Sequence, residues 1–149
     1  MEKSFLSTRR RLLGLTQREL ARRSGVKQPL ISAIESGRRD ATPPVALALG
    51  KALSIRPSLA LRSLRTDVLR IVRDNHGLEA HVFGSVARGE DQPGSDIDLM
   101  VEFDEQADIT DLLAMEEALG ELLTVPVDVV SAGSSSHIVA AARQETVPL

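Results

Sequence analysis

Residues 84–101 read GSVARGEDQPGSDIDLMV. Gly84-Ser85 is followed, ten residues on, by Asp96-Ile97-Asp98, two carboxylates one residue apart. AHVFG (80–84) ahead of the turn predicts a short strand, and IDLMVEF (97–103) predicts a second. Gly84 lets a phosphate approach the backbone, amides at the helix start favour an anion, and the Ser85 hydroxyl adds a donor. Strand alternation puts Asp96 and Asp98 on one side and Ile97, Leu99 and Val101 on the other. Two residues of rise separate the two Asp Cα atoms by roughly 6–7 Å, so their oxygens can converge on two metal ions about 3.5–4 Å apart. Asp128, within VPVDVV, alternates with Val127 and Val129 in a third predicted strand (126–130). It can face the same cleft, complete the metal site and help deprotonate an attacking hydroxyl. Arg88, one turn beyond Ser85, can neutralise a triphosphate. Gly89 and Gly94 suit a flexible loop, and Ser95 either contacts phosphate or ends that loop.

Working outward, Leu64, Val68, Leu69, Ile71 and Val72 predict a helix ending at Asn75-His76-Gly77. Residues 109–123 are helical by pattern, and the tail 134–145 is expected to be helical. The acids at 104–117 are expected to form a solvated helix face. His76, His81 and His137 lack metal-ligand spacing and read as solvated or satisfied histidines. Strands and helices interleave, which is the order of a small mixed α/β core.

The first part of the chain is different. Phe5, Leu6, Leu12 and Leu13 predict a helix over 4–13, stopped by Gly14. Thr16-Gln17-Arg18-Glu19 is a capping box, opening a helix that runs to about Ser24 with Gly25 as the turn. Pro29 sits near the start of a third helix carrying Leu30, Ile31 and Ile34. Pro43-Pro44 opens a fourth helix, and a fifth starts after Pro57. Arg9-Arg10-Arg11 is expected to be a solvated helix face.

Charge divides the same way. Residues 1–65 hold 14 Lys+Arg against 4 Asp+Glu, net +10, and residues 66–149 hold 4 against 17, net −13, giving −3 together. A basic half points to a polyanion, and an acidic half to metal ions or a basic protein. Tyr, Trp and Cys are absent. Disulfides and cysteine-ligated zinc are excluded, a stacking platform for single-stranded nucleic acid is disfavoured, and a reducing cytoplasm is expected. The apolar runs are too short to cross a membrane.

TQRELARRSGVKQPLISAIESG (16–37) resembles the helix-turn-helix of the phage-repressor and Cro-like (XRE) family. The resemblance implies a second helix, about Lys27 to Ser36, lying in the major groove of double-stranded operator DNA. It places Gln17 at a phosphate-contacting helix start and Lys27, Gln28, Ser32 and Ala33 toward base edges. Gln28 suits adenine, and Arg38 and Arg39 suit phosphates. Pro29 and Ala33 depart from the commoner pattern and put sequence specificity in question.

The spacing from Gly84-Ser85 to Asp96-x-Asp98, with the later strand aspartate, resembles the DNA-polymerase-β-like nucleotidyltransferase superfamily, in its minimal (MNT) branch. The likeness covers about 64–149, down to the closing ETVPL. The expected fold is α+β in two domains: an all-α helix-turn-helix domain over 1–60, then a nucleotidyltransferase core over 61–149 with a short sheet and flanking helices. The resemblance implies a protein adenylyltransferase of the type VII HEPN/MNT toxin–antitoxin family. Such a chain is an antitoxin that transfers AMP from ATP to a tyrosine of a HEPN ribonuclease toxin, using two Mg²⁺ ions or Mn²⁺. Asp96, Asp98 and Asp128 would hold the metal, and Gly84, Ser85, Arg88 and Ser95 the nucleotide. The helix-turn-helix would serve operon autoregulation and is compatible with homodimer formation. Two alternatives stay open. One is an aminoglycoside-like small-molecule nucleotidyltransferase, for which a further substrate domain is expected and only about 20 residues follow Asp128. The other is a transcription regulator that senses nucleotide.

Overall fold

The computed structural model describes residues 3–149, the side chains of Lys3 and Ile138 excepted. The chain forms two compact units, Met1–Ile55 and Arg56–Leu149.

The first unit is built of α1 (Lys3–Leu12), α2 (Gln17–Ser24), α3 (Gln28–Glu35) and α4 (Pro43–Ala52). The capping box forms as the sequence predicts: the Thr16 hydroxyl accepts from Glu19 N at 3.2 Å, and the Glu19 carboxylate accepts from Thr16 N at 2.7 Å. Gly25 closes α2 in the left-handed region, its N–H donating to the Ala21 carbonyl. Leu6, Leu20, Ile31, Ile34 and Leu49 meet in the core. The expectation for Arg9-Arg10-Arg11 needs correcting. Arg10 is nearly buried and donates from Nε to Glu35 Oε1 at 2.7 Å. Arg9 lies over the Phe5 ring at 4.9 Å and donates to the Leu53 carbonyl at 2.9 Å. Of the three, only Arg11 is exposed. A solvated face was the wrong reading because Glu35, 25 residues away in sequence, supplies the partner.

The second unit runs α5 (Pro57–Ser63), α6 (Arg65–Asp74), β1 (Gly77–Phe83), α7 (Gly84–Arg88), β2 (Ile97–Phe103), α8 (Ile109–Leu123), β3 (Val127–Ser131), α9 (His137–Ala142) and β4 (Val147–Pro148). Helix α5 packs with α6 and α8 and belongs to this unit. The sheet order is β3-β2-β1-β4. Strands β2 and β3 are parallel, and β1 is antiparallel to β2 and to β4. Ile97, Leu99 and Val101 of β2, with Ala80, Val82, Val127 and Val129, give one buried apolar face. Helices α6 and α8 lie against that sheet and bring Val68, Val72, Met115, Leu119 and Leu123 into the interior. The opposite face carries Asp98 and Met100, and there Val139 and Ala142 of α9 cover Met100, Phe83 and Val130. Period-2 alternation therefore sorts β2 into a core face and a face shared by α9 and the acids.

Several elements differ from expectation, β3 and α1 by a residue at each end and others by more. Strand β1 starts three residues earlier, at Gly77, and ends at Phe83, because Gly84 turns to φ 67° and opens α7. Helix α9 is shorter than the 134–145 expected. Strand β4, a two-residue pairing of Val147 and Pro148 with Val82 and His81, is not expected from the sequence. The acids of 104–117 are also not all solvated: Glu116 accepts from Val129 N at 2.8 Å, and Asp104 pairs with His76 at 3.1 Å. Among the described residues, no helix is long and apolar enough to cross a membrane.

Candidate active site

Parallel pairing of β2 with β3 puts Asp98 directly beside Asp128. Asp96 precedes β2 by one residue. Each of the three offers a carboxylate oxygen, and these oxygens lie within 4.8 Å of one another. Asp96 and Asp128 are exposed and Asp98 is half-buried. Burial pushes the Asp98 carboxyl above its ordinary value, the charges of Asp96 and Asp128 push the same way, and Arg88 pulls against them. Three carboxylates can only accept hydrogen bonds, so a cluster this tight fits a divalent cation better than it fits itself. The β2–β3 register thus sets Asp98 beside Asp128, and the loop just ahead of β2 brings Asp96 to them.

Gly84 answers to two demands at once. Its φ of 67° is a conformation that side chains rarely adopt, and a Cβ there would collide with Asp98 Oδ2. A side chain at 84 would therefore be strained by the backbone and would push the Asp98 carboxylate aside. Ser85 follows in the first turn of α7, half-buried. Arg88 ends α7 on the surface, donating to Glu90 at 2.8 Å and Glu145 at 3.2 Å, and both hydrogen bonds raise its pKa. The guanidinium that the sequence assigns to a triphosphate is thus engaged by two exposed carboxylates. The Ser95 hydroxyl accepts from Gln92 N at 3.0 Å while Ser95 N donates to the Gln92 carbonyl at 2.9 Å, so this side chain closes the loop.

Sequence reading missed Asp91. It lies in the same loop and its side chain is fully buried. Oδ2 accepts from Ser58 N at 2.9 Å and Oδ1 from Arg56 at 3.2 Å. Arg56 also donates to the Asp91 carbonyl at 2.9 Å and the Gly89 carbonyl at 3.2 Å. Burial would raise the Asp91 carboxyl, but the Ser58 amide and the Arg56 charge outweigh it and hold it below its ordinary value. No local pattern announces this residue, because its partners are 33 and 35 residues earlier.

In the first unit, α3 places Gln28 and Ser32 one turn apart, off the buried Ile31 and Ile34. Gln28 Nε2 donates to Gln17 Oε1 at 2.8 Å, and Gln17 Nε2 donates to Glu35 Oε2 at 2.8 Å. Burial raises the Glu35 carboxyl, yet bonds from Arg10 and Gln17 win and lower it. Lys27, at the N-cap of α3, is exposed, as are Arg38 and Arg39; Arg38 donates to the Ser36 hydroxyl at 2.9 Å.

Comparison with known proteins divides the chain similarly. Residues 61–146 match the nucleotidyltransferase domain family, and residues 6–59 match a helix-turn-helix family. The protein adenylyltransferase MntA of Thermococcus cleftensis is 36% identical over 75 residues, which are 50% of this chain and 76% of that one. MJ1215 of Methanocaldococcus jannaschii, named as a candidate protein adenylyltransferase, is 43% identical over 53 residues; the match spans 36% of this chain and 62% of the relative. A solved candidate minimal nucleotidyltransferase superposes with a TM-score of 0.55 at 38% identity, covering 62% of this chain and 95% of the other. A toxin–antitoxin structure with AMP-PNP shares the fold at 23% identity and a TM-score of 0.50, over 56% and 69% of the two chains.

Proposed function

The chain belongs to the nucleotidyltransferase domain family, and on that premise we propose that it is an antitoxin that adenylylates a toxin and regulates its own operon. The substrate is ATP and the acceptor is a tyrosine of a HEPN ribonuclease toxin. The observation that carries the reading is the convergence of Asp96, Asp98 and Asp128 within 4.8 Å beside the Gly84 turn, where a side chain would displace the Asp98 carboxylate. In the reaction, the tyrosine oxygen attacks the α-phosphorus, the bond to the β-phosphate oxygen breaks, and pyrophosphate leaves with that electron pair. Asp128, exposed at the end of the row, takes the tyrosine proton. Asp96, Asp98 and Asp128 would hold Mg²⁺, or Mn²⁺ in its place. When bound, the metal neutralises charge developing on the phosphates. Ser85 and the α7 amides receive phosphate oxygens, and Ser95 keeps the loop closed around them. Arg88 would exchange its carboxylate partners for the triphosphate. The chain has no Tyr, so the acceptor is supplied by another protein.

DNA binding belongs to the helix-turn-helix unit. Lys27, Gln28 and Ser32 address base edges of double-stranded operator DNA, and Gln17, Arg38 and Arg39 address phosphates. A homodimer through this unit would match a two-fold operator. The decisive experiment incubates the full chain with α-labelled ATP, Mg²⁺ and the product of the neighbouring gene. Label on a tyrosine of that product, lost on chelation, is the expected result. An unlabelled partner whose ribonuclease activity persists would remove the proposal.

A further inference from the structure

Asp98 and Asp128 are held in strand ladders, where Asp98 faces Phe83 on one side and Asp128 on the other. Asp96 has no such support, since β2 begins at Ile97. Its place depends on the loop that delivers it. Going backward from Asp96, that loop has two fixed points. The first is the Gln92–Ser95 turn, closed by the reciprocal bonds of 3.0 and 2.9 Å. The second is Asp91, fully buried and bonded at both carboxylate oxygens, with its own carbonyl and that of Gly89 held by Arg56. A buried carboxylate is expensive unless fully paired, and here every bond it makes reaches the segment Arg56–Ser58. A loop that needed only to connect α7 to β2 would not require a charge inside the protein.

We propose that Asp91, clasped by Arg56 and the Ser58 amide, is a positioning residue for the metal site: it fixes the loop that sets Asp96 against Asp98 and Asp128. The inference rests on the metal-binding reading of those three acids. It also makes Arg56–Ser58 part of the support of the active site and not a spacer between two functions.

The test uses the full chain and a readout that needs neither nucleotide nor toxin. Mn²⁺ affinity is measured by calorimetry on the native protein and on Asp91→Asn, Arg56→Gln and Asp98→Asn, well below each melting transition. Asp91→Asn is expected to weaken Mn²⁺ binding roughly 10–100-fold, the range for partners behind metal ligands, and to raise the metal needed for half-maximal label transfer by the same factor. Arg56→Gln leaves Asp91 and its Ser58 bond in place and is expected to give a smaller loss in the same direction. If both variants melt earlier yet bind Mn²⁺ with native affinity, the clasp is a structural staple and the inference is overturned. Should Asp91→Asn fail to fold, Arg56→Gln decides alone: weakened Mn²⁺ binding supports the clasp and native affinity overturns it. The control separates the two readings. Loss of Mn²⁺ in Asp98→Asn with retention in both clasp variants overturns the clasp only, whereas native Mn²⁺ binding in Asp98→Asn overturns the metal site and the clasp with it.

Discussion

In the first unit two of the residues assigned to DNA are tied into a hydrogen-bonded chain: Gln28 to Gln17, Gln17 to Glu35, Glu35 to Arg10. In the second, Asp96, Asp98 and Asp128 crowd together with nothing to donate to one another. The first arrangement is satisfied without a ligand, so it can be rigid beforehand and meet DNA with whatever donors and acceptors are left over. In the second, the β2–β3 ladder holds Asp98 and Asp128 side by side against their own repulsion, Asp96 joins them from the preceding loop, and a cation would complete the set. Loss of one member should therefore be graded in the first unit and close to all-or-none in the second.

The largest effect should come from Asp98→Asn. Removal of one of three convergent charges is expected to reduce label transfer by about 10²–10³-fold or more. The same change should stabilise the metal-free protein. The raised pKa of Asp98 means that its charged form is disfavoured on folding, so its ionisation costs stability as pH rises through the folded value. Asn carries no such charge, and the metal-free melting temperature should rise at neutral pH. A metal-free melt that falls instead would show that the cluster is not under electrostatic strain, and the comparison between the units would break.

Next in size is the position of the cut between the units. A chain beginning at residue 61 lacks Arg56 and Ser58 and leaves Asp91 buried without its partners. A chain beginning at residue 56 keeps them. The shorter fragment is expected to lose at least about 3–5 kcal/mol relative to the longer, from the orphaned Asp91 charge together with the lost packing of the buried Pro57 and Ala60. Urea melts followed by circular dichroism would measure it. Equal stability would mean that water reaches Asp91 freely in the fragment.

Gly84→Ala is expected to cost about 1–3 kcal/mol through the positive φ alone. The added methyl also displaces Asp98, so label transfer should fall more than stability explains. A melt paired with transfer at saturating metal would separate the two. Native transfer in a destabilised Gly84→Ala protein would show that the turn does not press on the acids.

What the sequence disclosed follows from how local each signal is. The Thr16–Glu19 box, the β2 span 97–103 and the α8 span 109–123 depend on neighbours within a turn or on a run of alternating residues, and they appear where expected. The Asp98–Asp128 pair was legible because the parallel β2–β3 register does the assembling, whereas Asp96, expected on the strand, is delivered by the loop ahead of it. Strand β4 was not, since two residues carry no period. Arg10 and Asp91 were not either: an Arg in a basic run and an Asp in a polar loop look solvated until a distant segment folds over them. Buried ion pairs with remote partners are the class that pattern reading misses.

The smallest effect tests the satisfied side of the comparison. Gln28 has two amide hydrogens and one is directed at Gln17, which leaves the other, and Oε1, for an adenine edge. Gln28→Ala should therefore cost about 1–3 kcal/mol of base discrimination on operator DNA, with binding that weakens steeply as salt rises. Gln17→Ala removes no base contact; it frees the Gln28 amide to rotate and should cost only about 0.5–1.5 kcal/mol. If Gln17 acts by orienting Gln28, the double variant should lose little more than Gln28→Ala alone, because the second substitution has nothing left to orient. A double-mutant cycle by fluorescence anisotropy at fixed salt reads this as a non-additive coupling. Strict additivity would mean that Gln17 contributes its phosphate contact alone and does not orient Gln28, and the network would then be a folding device and not a preorganised reader.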